Sequence, residues 1–148
     1  MHFDFGVCLP QEAETVALIR TIVTDTLARL GITPDCVEDI RLALSEACTN
    51  VVEHAAGDDE YEVRFQVDDL QCQITVKNTG QHLDAQSLAG VMPDVTSARG
   101  RGVAIMHAVM HQVAFRSDPE AGTIVHLVKE IEVLPDGLLD RLRRPDQT

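Results

Sequence analysis

Basic residues are scarce in this chain: 12 Lys and Arg stand against 24 Asp and Glu over 148 residues, a formal charge of −12. That balance opposes phosphate backbones and anionic bilayers, so direct nucleic-acid binding and membrane association are not expected. A partner with a basic face would be steered toward the protein instead. Long apolar runs are also missing. No stretch approaches the roughly 20 residues of a membrane span, and the start of the chain, with His2, Asp4 and Pro10, lacks the basic opening and apolar centre of a signal peptide. A cytoplasmic location is the expectation. Cys8, Cys36, Cys48 and Cys72 are widely spaced with no Cys-x-x-Cys pair, which argues against a disulfide framework or a zinc knuckle and for buried thiols. No internal repeat or low-complexity tract interrupts the sequence, and its length suits one domain with a substantial core.

Within that frame the apolar spacing alternates between two periods. Phe3, Phe5 and Val7 read as a strand ending before Pro10, and Val16, Ile19, Val23, Leu27 and Leu30 as a helix stopping near Gly31. Thr33-Pro34 supplies an N-cap and a first-turn proline for a second helix. Its core stripe is Ile40, Leu44, Ala47, Cys48 and Val51, with Ala43, Glu46, Asn50 and His54 on an adjacent stripe. Tyr61, Val63, Phe65 and Val67, an Asp68-Asp69 turn, then Leu70, Cys72, Ile74 and Val76 predict a hairpin. The glycine-punctuated stretch from Asn78 to Gly102 reads as a lid, Val103 to Met110 as a helix, Val113 to Arg116 and Thr123 to Lys129 as strands. The order β, α, α, β, β, lid, α, β, β predicts an α+β two-layer sandwich, a mainly antiparallel sheet with helices on one face. Residues 1 to 130 form that domain, and 131 to 148 a tail or short amphipathic helix.

The chemistry-bearing residues fall on the second helix and the helix after the lid. Glu46 and Asn50 are one turn apart and share a face, where the Asn50 carbonyl suits an oxygen-seeking cation such as Mg²⁺ and Glu46 suits proton transfer from a hydroxyl. Arg99-Gly-Arg-Gly-Val103 opens an apolar helix as an anion-binding turn does. His107 and His111, four apart, have no acidic third ligand and read as surface positions, as does the acidic turn Asp58-Asp-Glu60.

Glu46-x-x-x-Asn50, the turn after the Val76 strand, Gly100-x-Gly102 and Gly122-Thr123 together resemble the nucleotide-binding domain of the GHKL superfamily, the Bergerat fold. Leu42-Ala-Leu-Ser-Glu-Ala-Cys-Thr-Asn-Val-Val-Glu-His-Ala55 with Gly100-Arg-Gly-Val-Ala-Ile-Met106 is similar, within it, to the bacterial anti-sigma factor serine/threonine kinases, over roughly residues 3 to 130. The resemblance implies ATP and Mg²⁺ as cofactors, Asn50 as the Mg²⁺ ligand and Glu46 as general base toward a partner's serine. It implies phosphate contacts from Arg99, Gly100, Arg101, Gly102 and Val103, and a base site formed by Asn78, Gly80 and Thr123. It also implies a sigma factor and a STAS-type anti-anti-sigma protein as partners, and a homodimer, for which the apolar N-terminal strand offers an edge.

One segment departs from the family pattern. Asp-x-Gly-x-Gly is replaced by Asn78-Thr-Gly-Gln-His82, so a neutral amide stands where a carboxylate accepts the adenine amino group, and His82 replaces the second glycine. Charge-assisted hydrogen bonds are about twice as strong as neutral ones, so weakened ATP binding is expected. Two functions follow: an ATP-dependent serine kinase that also sequesters a sigma factor, and a regulatory binding module on the same fold without effective ATP use. An ATPase subunit of a larger machine and a histidine kinase are both disfavoured, because neither a transducer domain nor a preceding helix with a phosphoacceptor histidine is present.

Overall fold

The alternation at the start of the chain becomes an edge strand, and the two apolar helical stripes become the layer that covers it. The computed structural model describes residues 1–54, 60–78, 98–118 and 122–144. Along the chain run β1 (Phe3–Pro10), α1 (Ala13–Arg29), α2 (Pro34–His54), β2 (Glu60–Val67), β3 (Gln71–Asn78), α3 (Ala98–Val109), β4 (Gln112–Asp118), β5 (Gly122–Glu130) and α4 (Leu138–Arg143). The strands form one sheet in the order β1-β2-β3-β5-β4, every neighbouring pair antiparallel.

Register places the apolar set on the helix-covered face. Phe5 pairs with Phe65, Phe65 with Ile74, Ile74 with Leu127 and Leu127 with Val113, one apolar row across all five strands. Phe5 and Phe65 sit with ring centroids 5.3 Å apart, an aromatic contact that adds to simple burial. Ile19, Val23 and Leu27 of α1 and Ile40, Leu44 and Cys48 of α2 close over this row and are fully buried. The other face is polar: Arg64 pairs with Asp4 at 2.8 Å and Thr75 with His126 at 2.9 Å. The antiparallel sheet with a helix layer on one face is the α+β sandwich expected from the element order.

Local chemistry sets the ends of the elements. After α1, Gly31 takes φ +81°, its N–H donates to the Ala28 carbonyl, and the Ile32 N–H reaches back to Leu27. That double closure is a Schellman cap, available to glycine because the left-handed region is strained for other residues. The Thr33 hydroxyl accepts from the Cys36 N–H at 3.4 Å, so Thr33 caps α2 as its sequence position suggests.

The structure revises five expectations. Of the four thiols only Cys36, Cys48 and Cys72 are buried, whereas Cys8 is exposed on β1. β1 runs through Pro10, which an edge strand tolerates because its outer N–H needs no partner. Leu70 is not a hairpin core residue but 75% exposed, because the Asp68 carboxylate accepts from the N–H groups of Leu70 and Gln71 at 2.8 Å and makes Leu70 the turn tip. Ala43 is fully buried and belongs to the core stripe of α2. The helix after the lid starts at Ala98 rather than Val103, so both Gly100 and Gly102 lie inside its first turns. The lid itself, including Gly80 and His82, falls outside the described residues.

The chain after β5 folds back on α1. Ile32 bridges to Val133, Leu139 is fully buried, and the Leu139 N–H donates to the Leu30 carbonyl at 2.9 Å.

Candidate functional site

α2 carries the first half of the site. Its core stripe is held by burial, and the flank bearing Glu46 and Asn50 is half-buried, turned toward α3. Cys48 lies between them in sequence but on the core side, where burial pushes its thiol up to about 12 and makes it a packing group rather than a nucleophile.

α3 brings the second half. A Cβ built on Gly102 would lie 2.7 Å from Glu46 Oε2 and 3.7 Å from Asn50 Oδ1. Real Cβ atoms do not approach an oxygen that closely, so glycine at 102 is what lets the backbone of α3 lie against both side chains. Glycine inside a helix costs about 1 kcal/mol relative to alanine, and this contact is the physical return for it. Val103 packs inward behind it, and Arg101 points to solvent. Lys129 of β5 holds the far end of the same helix: its ammonium donates to the last-turn carbonyl of Val109 at 2.6 Å and to Asp39 of α2 at 2.9 Å. A cation on a helix C-terminal carbonyl is favourable by charge and dipole together. The two helices whose side chains converge at Gly102 are thus tied again at Lys129.

A different set of groups lines the far end of the sheet. Asn78, the last residue of β3, is fully buried opposite Tyr61, and one step beyond the Lys77–Ile124 pair it stands beside Thr123 of β5. Gln11, between β1 and α1, donates to Asn78 Oδ1 at 3.2 Å and to the Glu60 carbonyl at 3.5 Å. Tyr61 and Thr15 share a hydrogen bond of 2.8 Å, and since the Thr15 hydroxyl also lies within 2.8 Å of the Pro10 and Glu12 carbonyls, Tyr61 is the donor. Burial raises the Tyr61 hydroxyl to about 12. The Thr123 hydroxyl is buried and has no hydrogen-bond partner among the described residues.

Of the residues singled out in the sequence, Glu46, Asn50 and Gly102 therefore meet, and Asn78 and Thr123 stand side by side. Gly100 lies in α3, as does Arg99, whose side chain is outside the description, and Gly80 lies outside it altogether. His107 is in α3, but His111 has left the helix and accepts from the Glu130 N–H at 3.0 Å. Among the described residues no group of His, Cys, Asp or Glu is arranged to hold a metal by itself, and no helix is long and apolar enough to cross a membrane. Gln11 and Lys129 were not anticipated; each acts through a partner distant in the chain, and no local periodicity marks them.

A hard cation bound to phosphate needs oxygen donors, not a closed protein cage, and the Asn50 carbonyl beside a glycine-faced helix start fits that requirement. The unsatisfied, buried Thr123 hydroxyl fits a polar ligand at the sheet end, as buried hydroxyls are otherwise paired. The residues present fit a magnesium–nucleotide group.

Comparison with known proteins agrees. The histidine kinase-like ATPase domain matches residues 9–129. The chain is 33% identical over 132 residues to the serine-protein kinase RsbW of Bacillus velezensis, covering 82% of this chain and 81% of that one. It is 33% identical over 141 residues to the anti-sigma F factor of Pasteuria penetrans, covering 89% and 91%. In fold it resembles the crystal structure of the SiaB–SiaC complex of Pseudomonas aeruginosa, with TM-score 0.64 and 14% identity over 86% of this chain and 88% of that one. It also resembles the RsbU and RsbW domains of Rv1364c from Mycobacterium tuberculosis, with TM-score 0.62 and 19% identity, spanning 87% of this chain and about a third (32%) of that one. With the carboxylate, the amide and the glycine-opened helix in one place, the chain belongs to the histidine kinase-like ATPase family, in its branch of anti-sigma factor serine-protein kinases.

Proposed function

We propose that this protein is a cytoplasmic anti-sigma factor and serine kinase, which binds a sigma factor and phosphorylates a STAS-type antagonist that competes for it. The observation that carries the reading is the meeting of Glu46, Asn50 and Gly102. When bound, a magnesium–nucleoside triphosphate supplies the phosphoryl group passed to the serine oxygen, with the diphosphate leaving. Asn50 holds the cation through its carbonyl oxygen. Glu46, which has no ion-pair partner among the described residues, accepts the serine proton and leaves the cation to its neighbour. Gly100 and Gly102 let the N–H groups of the first turn face phosphate, and Arg99, Arg101 and Val103 complete that end. Asn78, Gly80 and Thr123 take the base. We further propose a homodimer paired through the edge strand β1, whose Phe3, Phe5, Val7 and Leu9 are only partly covered.

The second reading is a binding module with little nucleotide turnover, favoured by the neutral Asn78 whose oxygen already serves Gln11. Incubating the protein with its STAS-type partner, Mg²⁺ and γ-labelled nucleotide separates the two. Label on a partner serine is expected. Stable complexes with the partner and no label from either ATP or GTP would sink the kinase and leave the module.

A further inference from the structure

Lys129 is a cation where the strand pattern calls for an apolar side chain. On the helix-covered face it falls in the alternation between Leu127 and Ile131 and pairs across the sheet with Cys72, and all three of those neighbours are buried. Its side chain is only 14% exposed, a position an ammonium tolerates when acceptors are in place. Two are there: the carbonyl of Val109, the last residue of α3, at 2.6 Å, and the Asp39 carboxylate of α2 at 2.9 Å.

The spacing of these acceptors matches the site. Asp39 precedes Glu46 by seven residues on α2, and Val109 follows Gly102 by seven on α3, a span of about two turns and roughly 10 Å in each helix. The helices run antiparallel here, so Lys129 ties one end of a shared span whose other end is the meeting of Gly102 with Glu46 and Asn50. Two tied points fix how far one helix sits along the other. Apolar packing does so poorly, because Val103 and Met106 are the only buried apolar side chains among the described ones of α3, and a methionine adapts its shape to a shifted neighbour.

We infer that Lys129 is a positioning residue for phosphoryl transfer, setting the register of α3 against α2 and through it the placing of Gly102 against Glu46 and Asn50. This rests on the kinase reading above and adds to it a residue that acts only through α3. The requirement is for charge, not bulk. A methionine would cover the same apolar neighbours, and exchange of a buried ion for an apolar chain is often neutral in stability. Asp39, 37% exposed, would turn to water.

The test is steady-state labelling of the STAS-type partner with Mg²⁺ and γ-labelled ATP by the full chain, its variants Lys129→Met, Asp39→Asn and Gly102→Ala, and the double variant combining Lys129→Met with Gly102→Ala. Lys129→Met should lower kcat about tenfold or more, as a misplacement of about 1 Å does, with KM for the partner within about threefold and the thermal midpoint within about 4 °C. Asp39→Asn keeps an oxygen at that position and leaves the Val109 bond, so it should lose only about twofold to threefold. Because Lys129→Met and Gly102→Ala disturb the same contact, the double variant should lose less than the product of the two single losses. Should Lys129→Met melt below the assay temperature, Asp39→Asn and its combination with Gly102→Ala carry the same comparison. A kcat of Lys129→Met within about twofold of the unaltered protein, or losses that multiply in the double variant, overturns the inference and leaves the kinase reading standing. No label from the unaltered protein removes that reading and this inference with it.

Discussion

The two ends of the site are built by opposite means. At the phosphate end, a half-buried carboxylate and amide of α2 meet a buried glycine of α3. At the base end, Gln11, Asn78, Tyr61 and Thr123 are all buried: Gln11 donates to Asn78 and Tyr61 to Thr15, while the Thr123 hydroxyl has no partner among the described residues. The first end is chemistry waiting for a partner molecule. The second is a fixed hydrogen-bond pattern, and fixed patterns select among ligands. Reactivity and selectivity thus reside in separate residues that can be altered independently.

The largest expected effect breaks the phosphate end alone. Glu46→Gln keeps shape and removes the proton acceptor, so transfer to the partner serine should fall by about 10² to 10⁴ while nucleotide affinity stays unchanged. Full transfer by the variant would show that another group takes the proton. Gly102→Ala comes next. The flexible end of Glu46 must move aside for the new methyl, so transfer should drop by about tenfold, yet the helix gains up to about 1 kcal/mol in propensity and the thermal midpoint should not fall. A loss of stability equal to the loss of transfer would mean that Gly102 is structural only.

The base end is probed with a smaller signal. Tyr61 is the only tyrosine and tryptophan is absent, so tyrosinate absorbance reports this one hydroxyl. Its folded-state value of about 12 exceeds the unfolded value of 10.0, so its contribution to stability is complete below pH 10 and is lost as pH rises toward 12. Titration of the folded protein should show little tyrosinate at pH 10.5, and Tyr61→Phe should remove that part of the alkaline destabilisation. A midpoint near 10 would mean that the base end is open to water.

Much of this was legible in the sequence, for reasons that also explain what was not. Glu46 and Asn50 are one turn apart, and the Thr33 cap, the Gly31 stop and the hairpin alternation all depend on neighbours within a few residues. Local rules reach that far. The Gln11–Asn78 bond spans 67 residues, and the Lys129–Asp39 pair 90, so neither leaves a periodic trace. Leu70 was misplaced because apolar alternation continued into a turn whose Asp68 hydrogen bonds override it. The start of α3 is later in the sequence reading because two glycines read as loop, whereas the helix begins at Ala98 and Gly102 within it packs against Glu46 and Asn50 of α2.

The central claim is that the amide at position 50 holds a cation against phosphate beside Gly102. Its most direct test is affinity for a non-hydrolysable triphosphate nucleotide with and without Mg²⁺, compared between the unaltered protein and Asn50→Ala. We predict that Mg²⁺ tightens binding about tenfold or more in the former and has no effect in the latter. An equal response to Mg²⁺ in both proteins would contradict the account.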